Sequence, residues 1–218
     1  MDSAATPLTG PEIVPQTIDS LVILAHGYGS NGQDLHGLAQ QFAPHLPTTA
    51  FLSPNAPEAC PGAPGGHQWF ALSRLDPHER DTGVYQAGPA LDGFLSEALD
   101  RFGLSEAQTV LAGFSQGTMM ALHVGLRRAT PPAGILGYSG CLGAPARLKD
   151  EIAGRPPVFL IHGTHDEVLP FPLMFETKGA LEANGVTVRH HLSQQVTHSI
   201  GQDGLQQGLA FLKEVLGK

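Results

Sequence analysis

The sequence predicts a single α/β domain, in which helices cover both faces of a mostly parallel central sheet. Two observations support this prediction. Short apolar runs alternate along the chain with longer segments of helical periodicity, and such alternation is typical of a parallel sheet. The chain has 218 residues, of which 41% are hydrophobic. This length and composition suit one α/β domain with a sizeable core.

Six segments are predicted to be strands of this sheet. The first, residues 20–25, is apolar almost throughout, as expected for a central strand that is buried on both faces. The other predicted strands, in chain order, are residues 48–52, 109–112, 134–139, 157–161 and 186–192. Residues 1–19 are polar and proline-bearing, and they are predicted to be a loose N-terminal leader that could end in a strand. The domain is therefore expected to span residues 20–218.

Helices are predicted where apolar residues recur three and four positions apart. The clearest case is residues 84–102, which Gly103 follows as a natural C-terminal cap. The other predicted helices are residues 33–42, 118–128, 173–183 and 203–216. Residues 53–70 contain four prolines and three glycines. This composition predicts a long loop, ordered or mobile, in place of a helix or a central strand.

Residues 113–117, Gly-Phe-Ser-Gln-Gly, join a predicted strand to a predicted helix. In this context the pentapeptide indicates a nucleophile elbow, a tight and strained turn that holds the Ser115 hydroxyl clear of the sheet. Bulky residues two positions before or after the serine would collide, so the glycines are required. The turn also aims the backbone N–H of Gln116 toward a developing oxyanion. A glycine-rich turn with an ordinary serine is the alternative interpretation.

A serine nucleophile needs a base and a carboxylate that orients the base. In the α/β-hydrolase arrangement, the acid and then the histidine follow the serine along the chain. Asp166 and His198 satisfy this order, and each lies on a loop after a predicted strand. Other downstream residues remain alternatives for the base or the acid: His162, His165, His190, His191, Glu167 and Asp203.

The glycine-rich loop after the first strand offers a second oxyanion donor, most simply the backbone N–H of Tyr28. A turn without a chemical role is its alternative. Trp69 and Phe70, at the end of the 53–70 loop, either wall an acyl pocket or anchor the loop in the core. The chain has eleven histidines, but it contains no H-E-x-x-H or C-x-x-C motif. No metal site is therefore predicted.

Composition and charge exclude several classes of partner. The chain has 12 Lys and Arg against 20 Asp and Glu, a net charge of −8. With no basic run, this argues against nucleic acid or an anionic membrane surface as a partner. No apolar stretch approaches the roughly 18 residues of a membrane span, and the N-terminal segment lacks signal-peptide features. Two cysteines make no disulfide framework. A reduced, cytoplasmic protein without stable membrane insertion is expected.

Taken together, the motifs resemble the phospholipase/carboxylesterase family of small α/β-hydrolases, which includes the acyl-protein thioesterases. The matching segments cover nearly the whole chain in the right order: Ala25-His-Gly-Tyr-Gly29, Ser53-Pro-Asn-Ala-Pro57 with Gln68-Trp-Phe70, Gly113-Phe-Ser-Gln-Gly117, His162-Gly-x-x-Asp166 with Val168-Leu-Pro170, and Thr197-His-Ser199. The Pro-Asn-Ala-Pro and Trp-Phe segments are more specific than the elbow. The sequence departs from the family at Tyr28, Thr118 and Thr197, where Leu, Gly and Gly are frequent.

The resemblance implies a single-domain α/β-hydrolase fold with a Ser115–Asp166–His198 triad, an oxyanion hole from the Tyr28 and Gln116 N–H groups, and no cofactor. The predicted activity is hydrolysis of short- to medium-chain carboxylic esters through an acyl-enzyme. The expected partner is a small-molecule ester or thioester, and a homodimer remains open. The main alternative is a lysophospholipase or an acyl-protein thioesterase that acts on longer chains. A catalytically silent binding module is the remote alternative.

Overall fold

The computed structural model describes residues 7–73 and 76–218. The strands in chain order are β1 (Glu12–Ile13), β2 (Ser20–Ala25), β3 (Thr49–Leu52), β4 (Glu58–Ala59), β5 (His67–Gln68), β6 (Thr109–Phe114), β7 (Gly134–Tyr138), β8 (Val158–Gly163) and β9 (Val188–Ser193). The α-helices are α1 (Gly32–Phe42), α2 (Pro77–Phe102), α3 (Gln116–Arg127), α4 (Leu148–Glu151), α5 (Pro172–Glu182) and α6 (Gln202–Val215).

Seven strands form one sheet in the order β1-β3-β2-β6-β7-β8-β9, and β4 pairs with β5 in a separate ribbon. All neighbours in the large sheet are parallel except β1 and β3. The predicted parallel α/β architecture is therefore confirmed. The six predicted strands are all present, with ends that differ by at most two residues.

Strand β1 lies inside the segment that is predicted to be a leader. Its residues Glu12 and Ile13 pair with Leu52 and Phe51 of β3. The Glu12 carboxylate also accepts two hydrogen bonds of 2.8 Å from the Arg101 guanidinium at the end of α2. This part of the segment therefore contacts the domain, and a boundary at residue 19 stays a prediction.

Helices cover both faces of the sheet, as predicted. In β2, Leu21 and Ile23 pack on the face of α2 and α3, whereas Val22 and Leu24 pack on the face of α1 and α6. All four side chains are 0% exposed. Because both faces of β2 are buried, its sequence is apolar without the alternation that a half-exposed strand would show.

Helix α2 is longer than its apolar spacing predicts. It begins at Pro77 instead of residue 84, because Asp76 caps it and accepts a 2.8 Å hydrogen bond from the His78 backbone N–H. Proline is well suited to the first position of a helix. The added turns are polar and carry no apolar stripe, so periodicity could not reveal them. The helix ends as predicted, at Gly103, whose φ of +63° is left-handed.

The loop of residues 53–70 contains no helix and only the short β4–β5 ribbon. At its end, the Phe70 ring packs directly against the backbone of α2 at Gly83. A Cβ atom at residue 83 would lie 2.1 Å from the ring. The end of the loop can approach α2 only because residue 83 has no side chain.

Replacing Gly83 by alanine tests this contact. An alanine in place of glycine ordinarily stabilises a helix by about 0.5–1 kcal/mol. We expect Gly83→Ala instead to lower the free energy of unfolding by about 1–3 kcal/mol, because the added methyl group overpacks the Phe70 ring.

Gly93→Ala is the matched control in the same helix, because an added Cβ at Gly93 meets no atom within 4 Å. This variant should be more stable than the wild type. Urea unfolding gives the free energy of unfolding of the wild type and both variants. If both variants change this free energy in the same direction, the packing of Phe70 against Gly83 is contradicted.

Candidate active site

The site lies at the carboxyl ends of the parallel strands. Strands β2 and β6 are neighbours, but the chain continues from β2 to β3 on one side and from β6 to β7 on the other. Such a reversal leaves a crevice beyond the adjacent strand ends, where open α/β sheets bind ligands. The loop after β2 carries Tyr28 and the turn after β6 carries Ser115, so both lie at this crevice.

The turn at Ser115 has the strained backbone that a nucleophile elbow requires. Ser115 has a φ of +55° and a ψ of −115°, a conformation that non-glycine residues rarely adopt. A Cβ at Gly113 would lie 2.3 Å from the Gly117 carbonyl, and one at Gly117 would lie 1.8 Å from the Ala25 carbonyl oxygen. Only glycine fits at both positions, as the sequence predicts.

Thr118, one of the departures from the family pattern, ties this turn to β7. The single hydrogen of its buried hydroxyl is shared between the Gly113 carbonyl at 2.8 Å and the Tyr138 carbonyl at 2.9 Å. The threonine side chain fits because Gly140 lies opposite, where an added Cβ would approach the Thr118 Cβ to 2.4 Å. The departure therefore supports the turn through side-chain hydrogen bonds.

The structure brings Ser115, His198 and Asp166 into one hydrogen-bonded chain. The His198 Nε2 lies 3.0 Å from the Ser115 Oγ, and its Nδ1 lies 2.7 Å from the Asp166 Oδ2. Ser115 is 8% exposed and the Asp166 side chain is fully buried. With the proton on Nδ1, the imidazole donates to the carboxylate and its Nε2 is available to accept from the serine hydroxyl.

The Asp166 carboxylate is held from both oxygens. Its Oδ1 accepts from the backbone N–H groups of Val168 at 3.0 Å and Leu169 at 2.8 Å. Its Oδ2 lies 3.2 Å from the His162 Nε2, and this nitrogen donates its hydrogen bond to the Leu169 carbonyl at 2.7 Å. Burial lowers the pKa of His162, so this imidazole is neutral with its proton on Nε2. The sequence offers His162 only as an alternative for the base, and it does not predict this contact with the carboxylate.

The other candidates for base and acid lie outside the chain of hydrogen bonds. His191 pairs with Asp203 at 2.7 Å, and His190 packs edge-on against a phenylalanine. His165 and Glu167 are exposed. Of the candidates for the base and the acid, His198 and Asp166 are the pair that the geometry connects to the serine through hydrogen bonds.

Two backbone N–H groups at the crevice are available to a ligand. Gln116 is the first residue of α3, where backbone N–H groups have no partner inside the helix. Within residues 7–73 and 76–218, neither the Gln116 N–H nor the Tyr28 N–H donates to another group. The α3 N-terminus also carries the positive end of the helix dipole. Both predicted donors are thus suited to bind a negatively charged oxygen.

The Gln116 side chain fastens the end of the 53–70 loop to the elbow. Its Oε1 accepts from the Trp69 backbone N–H at 2.9 Å, and its Nε2 donates to the Phe70 carbonyl at 2.8 Å. The Trp69 indole donates to the His26 carbonyl at 3.0 Å, and the His26 Nε2 accepts from the Ala56 N–H at 2.9 Å. Trp69 and Phe70 are only 1% and 2% exposed. Their contacts match the loop-anchor alternative, and a wall for an acyl chain stays a prediction.

No metal or cofactor ligands stand out in the described ranges. Residues 7–73 and 76–218 contain no group of three or more His, Cys, Asp or Glu side chains that could hold a metal ion.

The free cysteines Cys60 and Cys141 are both buried, and a hydrogen bond to Cys60 raises the pKa of the Tyr28 phenol. None of the helices in these ranges combines the length and the apolar character needed to cross a membrane.

Comparisons with known proteins agree on one family. A sequence model of the phospholipase/carboxylesterase family matches residues 12–216. Acyl-protein thioesterase 1 of Saccharomyces cerevisiae is 28% identical over 210 residues, which cover 89% of this chain and 92% of that protein. Esterase YpfH of Escherichia coli is 25% identical over 198 residues, which cover 91% of this chain and 84% of that protein.

Solved structures agree with this assignment. The crystal structure of esterase PE8 is 43% identical in sequence, with a TM-score of 0.94, and the match covers 97% of this chain and 100% of that one. The family model, the two relatives and the esterase PE8 structure are all named as esterases or thioesterases. The chain therefore belongs to the phospholipase/carboxylesterase family of serine hydrolases, and it is a carboxylic ester hydrolase with the α/β-hydrolase fold.

Proposed function

We propose that the protein is a serine carboxylesterase that hydrolyses short- to medium-chain carboxylic esters through an acyl-enzyme intermediate. One observation carries this proposal: the hydrogen-bonded chain from Asp166 through His198 to Ser115, with contacts of 2.7 and 3.0 Å. These distances are those at which a histidine can take a proton from a hydroxyl while a carboxylate orients the ring.

In acylation, the Ser115 oxygen attacks the carbonyl carbon of the ester while its proton moves to the His198 Nε2. The tetrahedral intermediate places a negative charge on the former carbonyl oxygen, and the Tyr28 and Gln116 N–H groups stabilise it. The intermediate collapses when the bond to the leaving oxygen breaks. The imidazolium gives its proton to that oxygen, and the alcohol departs.

In deacylation, His198 takes a proton from a water molecule, which attacks the acyl carbon of the Ser115 ester. A second tetrahedral intermediate forms, and the same two N–H groups stabilise it. Its collapse breaks the bond to the serine oxygen, which regains a proton from His198, and the carboxylic acid is released. Asp166 stays ionised throughout and stabilises the imidazolium that forms in each half of the reaction.

An acyl-protein thioesterase acting on longer chains is the second candidate, because relatives with that name cover most of the chain. The relatives named esterases support the first candidate. The triad chemistry is the same for an oxygen ester and a thioester, so the catalytic residues do not separate the two. What separates them is the length of acyl chain that the site accepts and the leaving atom that it prefers.

Hydrolysis of p-nitrophenyl esters from acetate to palmitate tests the proposal. We expect kcat/KM to peak at short or medium chains, and Ser115→Ala to lower it at least about a thousandfold, because the variant has no nucleophile. Ser96→Ala on α2 is the control for the loss of a serine hydroxyl. This variant should keep full activity.

Other outcomes would change the conclusion. A maximum at long chains, with a matched thioester cleaved faster than its oxygen ester, would favour the acyl-protein thioesterase. Activity that survives Ser115→Ala undiminished would contradict the mechanism.

His162 is expected to act as a positioning residue for Asp166. His162→Leu removes the imidazole whose Nε2 lies 3.2 Å from the carboxylate and donates to the Leu169 carbonyl. This loss of positioning should lower kcat roughly tenfold, which corresponds to about 1.4 kcal/mol. KM should change little, because His162 does not contact the substrate. His162→Gln should restore part of the rate, because its amide can place a donor near the same position.

Steady-state kinetics of both variants check this role, with melting temperatures measured alongside. If the two variants lose equal amounts of stability and neither lowers kcat, His162 serves only packing.

A further inference from the structure

A groove of about 380 Å³ follows one face of α1 and reaches His198. This volume lies at the lower end of the roughly 300–1,000 Å³ that is typical of small-molecule sites. Most of the groove wall is apolar: Leu35, Leu38, Phe114, Ile200 and Leu205. Neither Ser115 nor the buried Trp69 and Phe70 line it. The groove therefore opens beside the histidine and not at the nucleophile.

We propose that this groove is the leaving-group subsite, and that it takes the uncharged, apolar alcohol or thiol portion of the substrate. The inference deepens the proposed function and rests on it. It separates the binding of the leaving group, along α1, from the binding of the acyl chain.

The geometry of the reaction leads to this assignment. In the tetrahedral intermediate, the oxyanion points toward the Tyr28 and Gln116 N–H groups. The leaving oxygen must lie next to the His198 Nε2, because that nitrogen returns the proton taken from Ser115. A group attached to the leaving oxygen therefore extends past the imidazole. The groove begins there, with the Phe114 ring centroid 4.9 Å from that of the His198 ring.

The charge of the groove narrows the class of leaving group. Asp34 lines it and accepts a 2.8 Å hydrogen bond from the Ser30 hydroxyl. No lysine or arginine is among its lining residues in the described part of the chain. The other titratable lining residues are His198 and His26, and burial lowers the pKa of His26 so that it stays neutral. An alcohol that carries a phosphate would be repelled by this carboxylate, so the groove favours an uncharged alcohol over an anionic one.

Gly37 offers a way to fill the groove without strain. It lines the groove on the exposed side of α1, and an added Cβ there meets no atom within 4 Å. Gly37→Phe is therefore expected to fold and to occupy space that the leaving group would use. Gly37→Leu is a smaller filler that gives a second measurement.

The experiment compares acetate esters of alcohols that increase in size, from methyl through butyl to benzyl and 2-naphthylmethyl. Gly37→Phe should lower kcat/KM for the benzyl and naphthylmethyl esters about tenfold or more, the cost of closing an apolar pocket, and should leave methyl acetate unchanged. Gly37→Leu should show a smaller effect with the same trend. Across p-nitrophenyl esters with different acyl chains, either variant should lower all rates by one common factor.

Deacylation provides an independent readout. Every acetate ester forms the same acetyl-enzyme, and the alcohol has already left it. The deacylation rate, measured from burst kinetics, should therefore be the same in the wild type and in Gly37→Phe. A loss that grows with acyl length, or a changed deacylation rate, would mean that the groove holds the acyl chain and would overturn the inference.

Two further variants complete the test. Gly179→Phe on α5 is the matched control, because an added Cβ there also meets no atom within 4 Å and Gly179 lies outside the groove. It should leave both ester series unchanged. Asp34→Asn should raise the rate for a 2-phosphoethyl ester relative to its uncharged 2-methoxyethyl counterpart, and an unchanged ratio would contradict the charge argument.

The experiments distinguish a failure of the leaving-group subsite from a failure of the esterase mechanism. If Ser115→Ala is inactive while Gly37→Phe and Gly37→Leu leave the alcohol series unchanged, the leaving-group subsite is wrong and the esterase mechanism stands. If Ser115→Ala remains active, the mechanism itself fails.

Discussion

The close approach of the elbow to the end of β2 is the constraint on which the rest of the site depends. The Gly117 backbone passes so near the Ala25 carbonyl that a Cβ would lie 1.8 Å from its oxygen. This approach brings the first turn of α3 beside the loop that carries Tyr28, so that two N–H groups from distant parts of the chain can serve one oxyanion. Any side chain at residue 117 would separate the two segments. Ser115, two residues before this contact, has a positive φ of +55°, a strain that the surrounding structure must hold in place.

The electrostatics of the site depend on the buried Asp166 carboxylate, which receives several hydrogen bonds from the protein. An ionised side chain that is 0% exposed is costly unless hydrogen bonds replace its water. At Asp166, two backbone N–H groups and the His198 imidazole donate these hydrogen bonds, and the His162 Nε2 lies 3.2 Å from the carboxylate. The His198 side chain keeps 19% exposure, so water and a leaving group can still reach it. Asp166 is therefore held in place and shielded from water, whereas His198 is partly exposed to solvent.

The sequence was sufficient for those parts of the site that local chemistry determines. The elbow, the order of Ser115, Asp166 and His198, and the parallel sheet all follow from short patterns and strand ends. It was insufficient wherever a side chain's role depends on a distant partner. Nothing local predicts that the Gln116 amide bridges to residues 69 and 70, or that His162 contacts Asp166. The sequence alone leaves Trp69 and Phe70 as either pocket walls or loop anchors. The contact that favours an anchor at Phe70 depends on Gly83, which lies on α2 and has no side chain to block the ring.

Helix α1 shows how one element can serve both stability and selectivity. Its inner face, with Leu35, Leu38 and Phe42, belongs to the core on the face of the sheet that α1 and α6 cover. Its edge forms the groove beside His198. Gly37 lies on that edge, where an alanine would favour the helix by about 0.5–1 kcal/mol and no contact within 4 Å requires glycine. Packing therefore does not explain this glycine, and a larger side chain at this position would extend into the groove of the proposed subsite. In the proposed mechanism, the elbow provides the nucleophile, and the space along α1 limits the size of the leaving group.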